Sequence, residues 1–115
     1  MLGYELAYQV VSGIQSQGVI ANAKHFFNNN QENNRHSVSE NVDERTQMEI
    51  YMEPFRGAVD AGLLSVMCAN NRVNTVDFHG PGVSGSWYSC ENNHTVNTML
   101  KGWLGFKGWQ LSDYK

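Results

Sequence analysis

Asp113, in the run Gly108-Trp109-Gln110-Leu111-Ser112-Asp113-Tyr114, is a carboxylate delivered at the end of a β-prone segment. Lys24-His25 closes an earlier apolar run, and Met67 lies in another, with Asn70 and Asn71 just beyond it. If these runs are parallel strands, their C-terminal ends bring an acid, an ammonium, an imidazole and amides to one face. Barrel enzymes place their reactive groups there. A carboxylate beside positive charge or donated hydrogen bonds stays ionised, and an ionised Asp is a competent nucleophile for glycosyl transfer. Lysine and histidine suit donation to sugar hydroxyls. Each residue also has a plainer role: Lys24-His25 as a strand end reaching water, Asp113 as the cap of a following helix, Met67 as core filler.

Other chemistries have less behind them. The four histidines and two cysteines lack compact metal-ligand spacing, so no metal is expected. Cys68 sits in an apolar run, where a structural role is commoner than a nucleophilic one. Cys68 and Cys90 permit one disulfide or remain two thiols, and spacing does not choose between them. Asn93-His94-Thr95 fits the glycosylation sequon, which matters only in a secreted protein.

The elements that must position these residues follow from periodicity. Ala7, Val10, Val11 and Ile14 recur at helical spacing, with Gly18 as a stop. Residues 19–25 then read as a short buried strand. Residues 28–41 are rich in Asn, Gln, Ser and Glu and read as a long polar loop. Asn41 and Glu44 suggest a capping box for a second helix, whose stripe is Met48, Tyr51, Met52, Phe55 and Val59. Pro54 inside that stripe predicts a kink or a lost hydrogen bond. Gly62 ends the helix and residues 63–69 form a second buried strand. A Gly/Pro/Ser-rich loop lies between Asn74 and Cys90. A third helix carries Val96, Met99, Leu100 and Trp103, capped by Gly105, before the strand that ends at Asp113.

Helix–strand–helix–strand–helix–strand with buried strands is an α/β pattern. Long polar strand-to-helix loops and short helix-to-strand turns favour a fragment of a TIM-like (β/α) barrel, about three strand/helix units, with its site on one face. A doubly wound open sheet is the rival, but no Gly-rich nucleotide fingerprint follows either complete strand. At 115 residues, 41% hydrophobic and 17% charged, the composition is that of a globular chain. A net charge of −3 gives no electrostatic case for nucleic acid or an anionic membrane. No apolar run reaches the length of a membrane span, and residues 1–20 lack the layout of a signal peptide.

The wording of the chain adds to its periodicity. Gly13-Ile14-Gln15-Ser16-Gln17-Gly18-Val19-Ile20-Ala21-Asn22-Ala23-Lys24-His25-Phe26 resembles the lysine-histidine segment of family 3 glycoside hydrolases, which include many β-glucosidases. Residues 29–35, 41–46, Glu53-Pro54-Phe55, 65–74, 90–92 and 100–106 continue the resemblance into Ser112-Asp113, over nearly the whole chain. The resemblance implies that Asp113 is the nucleophile of a retaining mechanism on a carbohydrate substrate. Lys24 and His25 would bind hydroxyls of the transferred sugar, and Met67, Asn70 and Tyr114 would line the same pocket.

It further implies no cofactor, secretion, and an acid/base carboxyl supplied by a later domain. The chain would be a partial barrel domain, truncated at both ends and inactive alone. The alternative is a non-catalytic gene fragment or a carbohydrate-binding remnant. Asn70 stands where many relatives have tyrosine, and Tyr114 where they often have tryptophan. Residues 75–89 read as a longer connection than usual, with Cys68 and Cys90 placed to staple it.

Overall fold

A computed structural model describes residues 1–74 and 85–114. Helix α1 (Leu2–Gln15) leads to strand β1 (Asn22–Phe26), and a polar stretch then passes through β2 (Ser39–Asn41). The second helical region has three consecutive pieces: α2 (Glu44–Thr46), a π-helical segment (Gln47–Tyr51) and α3 (Met52–Asp60). Strands β3 (Ser65–Cys68), β4 (Arg72–Asn74) and β5 (Ser86–Tyr88) follow, then a π-helix (His94–Trp103) and β6 (Trp109–Ser112).

The main sheet runs β1-β3-β6, with both pairs parallel. Its spatial order follows chain order with no reversal, whereas a doubly wound sheet reverses at a switch point. Strand β3 is buried at every residue because it is flanked on both edges and covered by helices. Strands β1 and β6 are the edges and are only partly covered. Phe26, Phe27, Met52, Val66, Met99 and Leu100 form the fully buried core between sheet and helices. Phe26 stacks on Phe27 (ring centroids 4.5 Å apart) and meets Phe55 edge-on at 4.9 Å.

Helix α1 crosses α3 where residue 57 has no side chain: a Cβ on Gly57 would collide with the Tyr4 carbonyl. Ala7 and Val11 pack inward, but Val10 and Ile14, expected on the same apolar face, stay exposed. They border a groove of about 300 Å³ alongside Ala23, Lys24 and Phe55. The turns at Gly62 and Gly105 need φ of 82° and 70°, the left-handed region that glycine enters without strain.

Several local expectations change. Strand β1 starts at Asn22 rather than residue 19, and His25 is its penultimate residue. The cap of α2 is Asp43, whose Oδ1 accepts from the Thr46 amide at 2.9 Å. Asn41 belongs instead to β2, and its Oδ1 accepts from Asn74 Nδ2. The helix continues through Pro54, and the change of winding falls just before it, at Gln47–Tyr51. Pro54 has no N–H to offer the Ile50 carbonyl four residues earlier, so the α-helical register loses one bond there and the wider π register costs less.

Trp103 is exposed rather than part of the third helix's buried stripe. Winding at i→i+5 stacks His94 over Met99 and Thr95 over Leu100, as the 3.0 Å bond from Leu104 N to the Met99 carbonyl reflects. Trp103, the last residue of this helix, is 46% exposed and meets the His94 ring edge-on at 5.4 Å.

The polar stretches hold a second, small sheet that periodicity does not predict. Strand β2 pairs parallel with β4, and β4 pairs antiparallel with β5. The connection at 75–84 lies outside the described residues, so the expected lengthening of that loop falls mostly beyond them.

Candidate active site

The parallel register aligns Phe26, Cys68 and Ser112 at the C-terminal tips of β1, β3 and β6. Two further backbone bonds extend the ladder past the tips: Ala69 N to the Phe26 carbonyl (2.7 Å) and Asp113 N to the Cys68 carbonyl (3.1 Å). Asp113 is thus fixed one residue beyond β6, with its side chain only 6% exposed.

Its two carboxylate oxygens are treated differently. Oδ2 accepts from Arg35 Nη1 at 2.8 Å and from Asn70 Nδ2 at 3.1 Å, with His25 Nε2 at 3.5 Å. Oδ1 accepts the Tyr114 amide at 2.8 Å. Arg35 and Asn70 also each donate to the Tyr114 carbonyl, at 3.1 and 3.2 Å. Both therefore grip Asp113 and the following peptide together. A buried carboxylate needs such donors, because desolvation otherwise favours its neutral form. Anchored through Oδ2, the group keeps lone-pair capacity on Oδ1.

Arg35 was not among the expected site residues. It comes from a tight turn in which Asn34 adopts φ 57° and its carbonyl accepts from Ser37 and Val38 amides. The Val38 carbonyl then accepts from Arg72 N, where the small sheet begins. The β2-β4-β5 sheet thereby secures the turn that presents Arg35. A lone arginine in an aperiodic polar stretch gives no spacing signal. The only hint was its place in the loop after Lys24-His25.

The other expected residues are not all brought together. His25 and Asn70 join Asp113. Tyr114 contributes backbone groups while its ring is 74% exposed. Met67 is 5% exposed and pairs with Lys24 on β1 and Leu111 on β6. The Lys24 side chain makes no hydrogen bond or ion pair among the described residues, and it lines the groove beside α1.

Cys68 and Cys90 form a disulfide with a Cα–Cα distance of 5.1 Å. It ties the tip of β3 to the turn after β5. Between them opens a cavity of about 550 Å³, lined by His36, Ala69, Asn70, Tyr88, Cys90 and Glu91. Asn70 borders both the cavity and Asp113. Asn93 is exposed at the head of the last helix, while the Thr95 hydroxyl of its sequon donates to the Ser89 and Asn92 carbonyls. Among the described residues no cluster of three or more His, Cys, Asp or Glu could hold a metal ion, and no helix is long and apolar enough to cross a membrane.

Parallel strand tips that deliver a carboxylate, its donors and an adjoining cavity define a site of the (β/α)-barrel kind. The model for the glycosyl hydrolase family 3 N terminal domain matches residues 2–115, and the chain belongs to that family. It is 47% identical over 104 residues to β-glucosidase cel3A of Pyricularia oryzae, covering 90% of this chain and 13% of that protein. It is 45% identical to the probable β-glucosidase L of Emericella nidulans, covering 92% and 13%.

Among solved structures, β-glucosidase 3B of Thermotoga neapolitana in complex with glucose superposes with a TM-score of 0.83 at 38% identity, covering 96% of this chain and 14% of that one. The β-D-glucoside glucohydrolase of Trichoderma reesei gives 0.81 at 42%, covering 94% and 14%. The chain thus spans about 13% of the length of the curated relatives it matches.

Proposed function

We propose that this chain forms the nucleophile-bearing part of a retaining glycoside hydrolase acting on β-glucosides or related β-linked sugars. In this reading Asp113 Oδ1 attacks the anomeric carbon and displaces the leaving group, while a second carboxyl protonates the departing oxygen. Water, activated by that same carboxyl, then cleaves the glycosyl-enzyme ester. His25 donates to hydroxyls of the transferred sugar, Met67 and Asn70 line its pocket, and Tyr114 offers an aromatic face. The acid/base carboxyl and the sugar's remaining partners come from polypeptide outside these residues, so residues 1–115 alone give no appreciable turnover.

The observation that carries the reading is the Asp113 carboxylate, buried at a strand tip and held through one oxygen by Arg35 and Asn70. The glucose complex of the Thermotoga neapolitana relative supports glucose as the transferred sugar. The Cys68–Cys90 disulfide supports secretion, since such bonds persist in oxidising compartments.

The test uses a polypeptide of the relatives' full length that carries this segment. Incubation with 2-deoxy-2-fluoro-β-glucosyl fluoride should leave one fluoroglucosyl group on Asp113, located by peptide mass spectrometry, and Asp113→Ala should abolish hydrolysis. A label on another carboxylate, or normal turnover by the alanine variant, would refute the assignment.

A further inference from the structure

Asn93-His94-Thr95 is the one Asn-X-Ser/Thr triplet in the chain, and the site around Asp113 makes no use of Asn93. The backbone there is well anchored. Asn92 and His94 on either side are only 2% and 3% exposed, and Asn92 Oδ1 accepts the His94 and Thr95 amides at 3.0 and 3.2 Å. Between these buried neighbours the Asn93 side chain is exposed at the head of the last helix. Its Oδ1 accepts from Asn97 Nδ2 at 2.7 Å, while its own Nδ2 donates to nothing among the described residues.

Thr95 is the opposite case, fully buried. Its hydroxyl lies 3.0 Å from the Asn92 carbonyl and 3.2 Å from the Ser89 carbonyl, with one proton to share between them. Ser89 is itself pinned, because its Oγ donates to the Phe26 carbonyl at 2.7 Å and accepts the Phe27 amide at 2.9 Å. Cys90 beside it is bonded to Cys68 at the tip of β3. The cover over the Thr95 hydroxyl therefore depends, through Ser89, on contacts 62 and 63 positions apart in the chain.

N-glycosylation reads two groups of such a triplet, the asparagine amide that reacts and the hydroxyl two residues on. The folded chain presents the first and hides the second. We propose that Asn93 carries an N-linked glycan, added before the turn after β5 docks on β1 and closes off Thr95. In the transfer, Asn93 Nδ2 attacks C1 of an oligosaccharide carried on a lipid diphosphate. The N–C1 bond forms as the C1–O bond breaks, the lipid diphosphate leaves, and the amide gives up one proton to a base. Oδ1 takes no part, so the sugar extends from an exposed side chain and leaves the Asn97, Asn92 and Thr95 bonds in place. This rests on the secretory reading drawn from the Cys68–Cys90 bond and is independent of the role of Asp113.

The test expresses the full-length polypeptide carrying this segment, with its own N-terminal sequence, in a eukaryotic host. Peptide N-glycosidase in heavy-oxygen water should convert residue 93 of the secreted protein to an isotope-labelled aspartate, and Asn93→Gln should lose one glycan by mass. A second arm takes the polypeptide made without glycans and offers it to detergent-solubilised oligosaccharyltransferase with a lipid-linked oligosaccharide. The reduced and alkylated form should gain a glycan at Asn93, and the folded, disulfide-closed form should gain none.

A secreted protein with Asn93 bare would overturn the modification. A glycan on the folded form, or on neither form, would overturn the order of events. A polypeptide retained in the cytosol would overturn the secretory reading and the glycan with it, whereas fluoroglucosyl labelling of Asp113 tests the nucleophile separately.

Discussion

Removing Arg35 should damage the site more than its distance in sequence from Asp113 suggests. Its guanidinium donates to Asp113 Oδ2 at 2.8 Å and to the Tyr114 carbonyl at 3.1 Å, so one side chain fixes both the carboxylate and the peptide after it. A hydrogen bond to a charged group contributes about 1.5–3 kcal/mol, which sets an upper bound of roughly 3–6 kcal/mol for the pair. That bound is too high here. The Arg35 side chain is 21% exposed, so water refills part of the space, and Asn70 and the Tyr114 amide remain on the carboxylate.

We expect about 2–3 kcal/mol in Arg35→Met, equivalent to a loss in kcat/KM of roughly 30- to 150-fold. Arg35→Lys keeps the charge but cannot span both acceptors, so it should recover only part of the activity. The assay is steady-state hydrolysis of β-glucosyl fluoride by the full-length polypeptide, whose small leaving group keeps leaving-group contacts out of the comparison. Arg35→Met within about threefold of the parent would show that Arg35 does not order the carboxylate.

Three further expectations concern stability and can be read by thermal or urea unfolding of variant against parent. Gly57→Ala drives a methyl into the Tyr4 carbonyl and should destabilise by about 1–3 kcal/mol; a neutral result would mean that α1 shifts freely on α3. Replacing Cys68 and Cys90 by serine opens a loop of sequence separation 22 and should cost about 3 kcal/mol, an effect that reductant on the parent should reproduce. Burial holds the His94 imidazole below its ordinary pKa, with Glu44 opposing more weakly. The unfolded chain then binds the extra proton first, so stability is full above about pH 6.5 and declines as pH falls toward the folded value. His94→Gln should flatten that slope, and an unchanged slope would assign it to other groups.

The parts of the fold that the sequence exposes are those with a strong period. Met48, Tyr51, Met52, Phe55 and Val59 pack inward as their spacing requires, and the apolar run around Val66 becomes the fully buried central strand. The β2-β4-β5 sheet escapes because its strands are three residues long and mostly polar or exposed, leaving no alternation to read. Trp103 misleads because it is the last residue of its helix, where its ring lies half exposed against the edge of His94. Asp113, His25 and Asn70 were legible as strand-end neighbours. Arg35 was not, since it reaches the carboxylate through a turn whose position depends on pairing between segments distant in the chain. Lys24 adjoins His25 in sequence, yet it borders a different cavity.

The Cys68–Cys90 bond makes the intervening segment a covalent ring whose two ends are anchored beside the reacting group. The entropy of closing a ring grows only with the logarithm of its length, about 0.6 kcal/mol for each doubling. A change of length between β4 and β5 therefore costs little closure entropy, whereas Asn70 and Arg72, also inside the ring, hold Asp113 and the turn that presents Arg35 and must stay in place. One covalent link thus joins, in a single ring, a partner of the carboxylate and two strands of the sheet that positions its arginine.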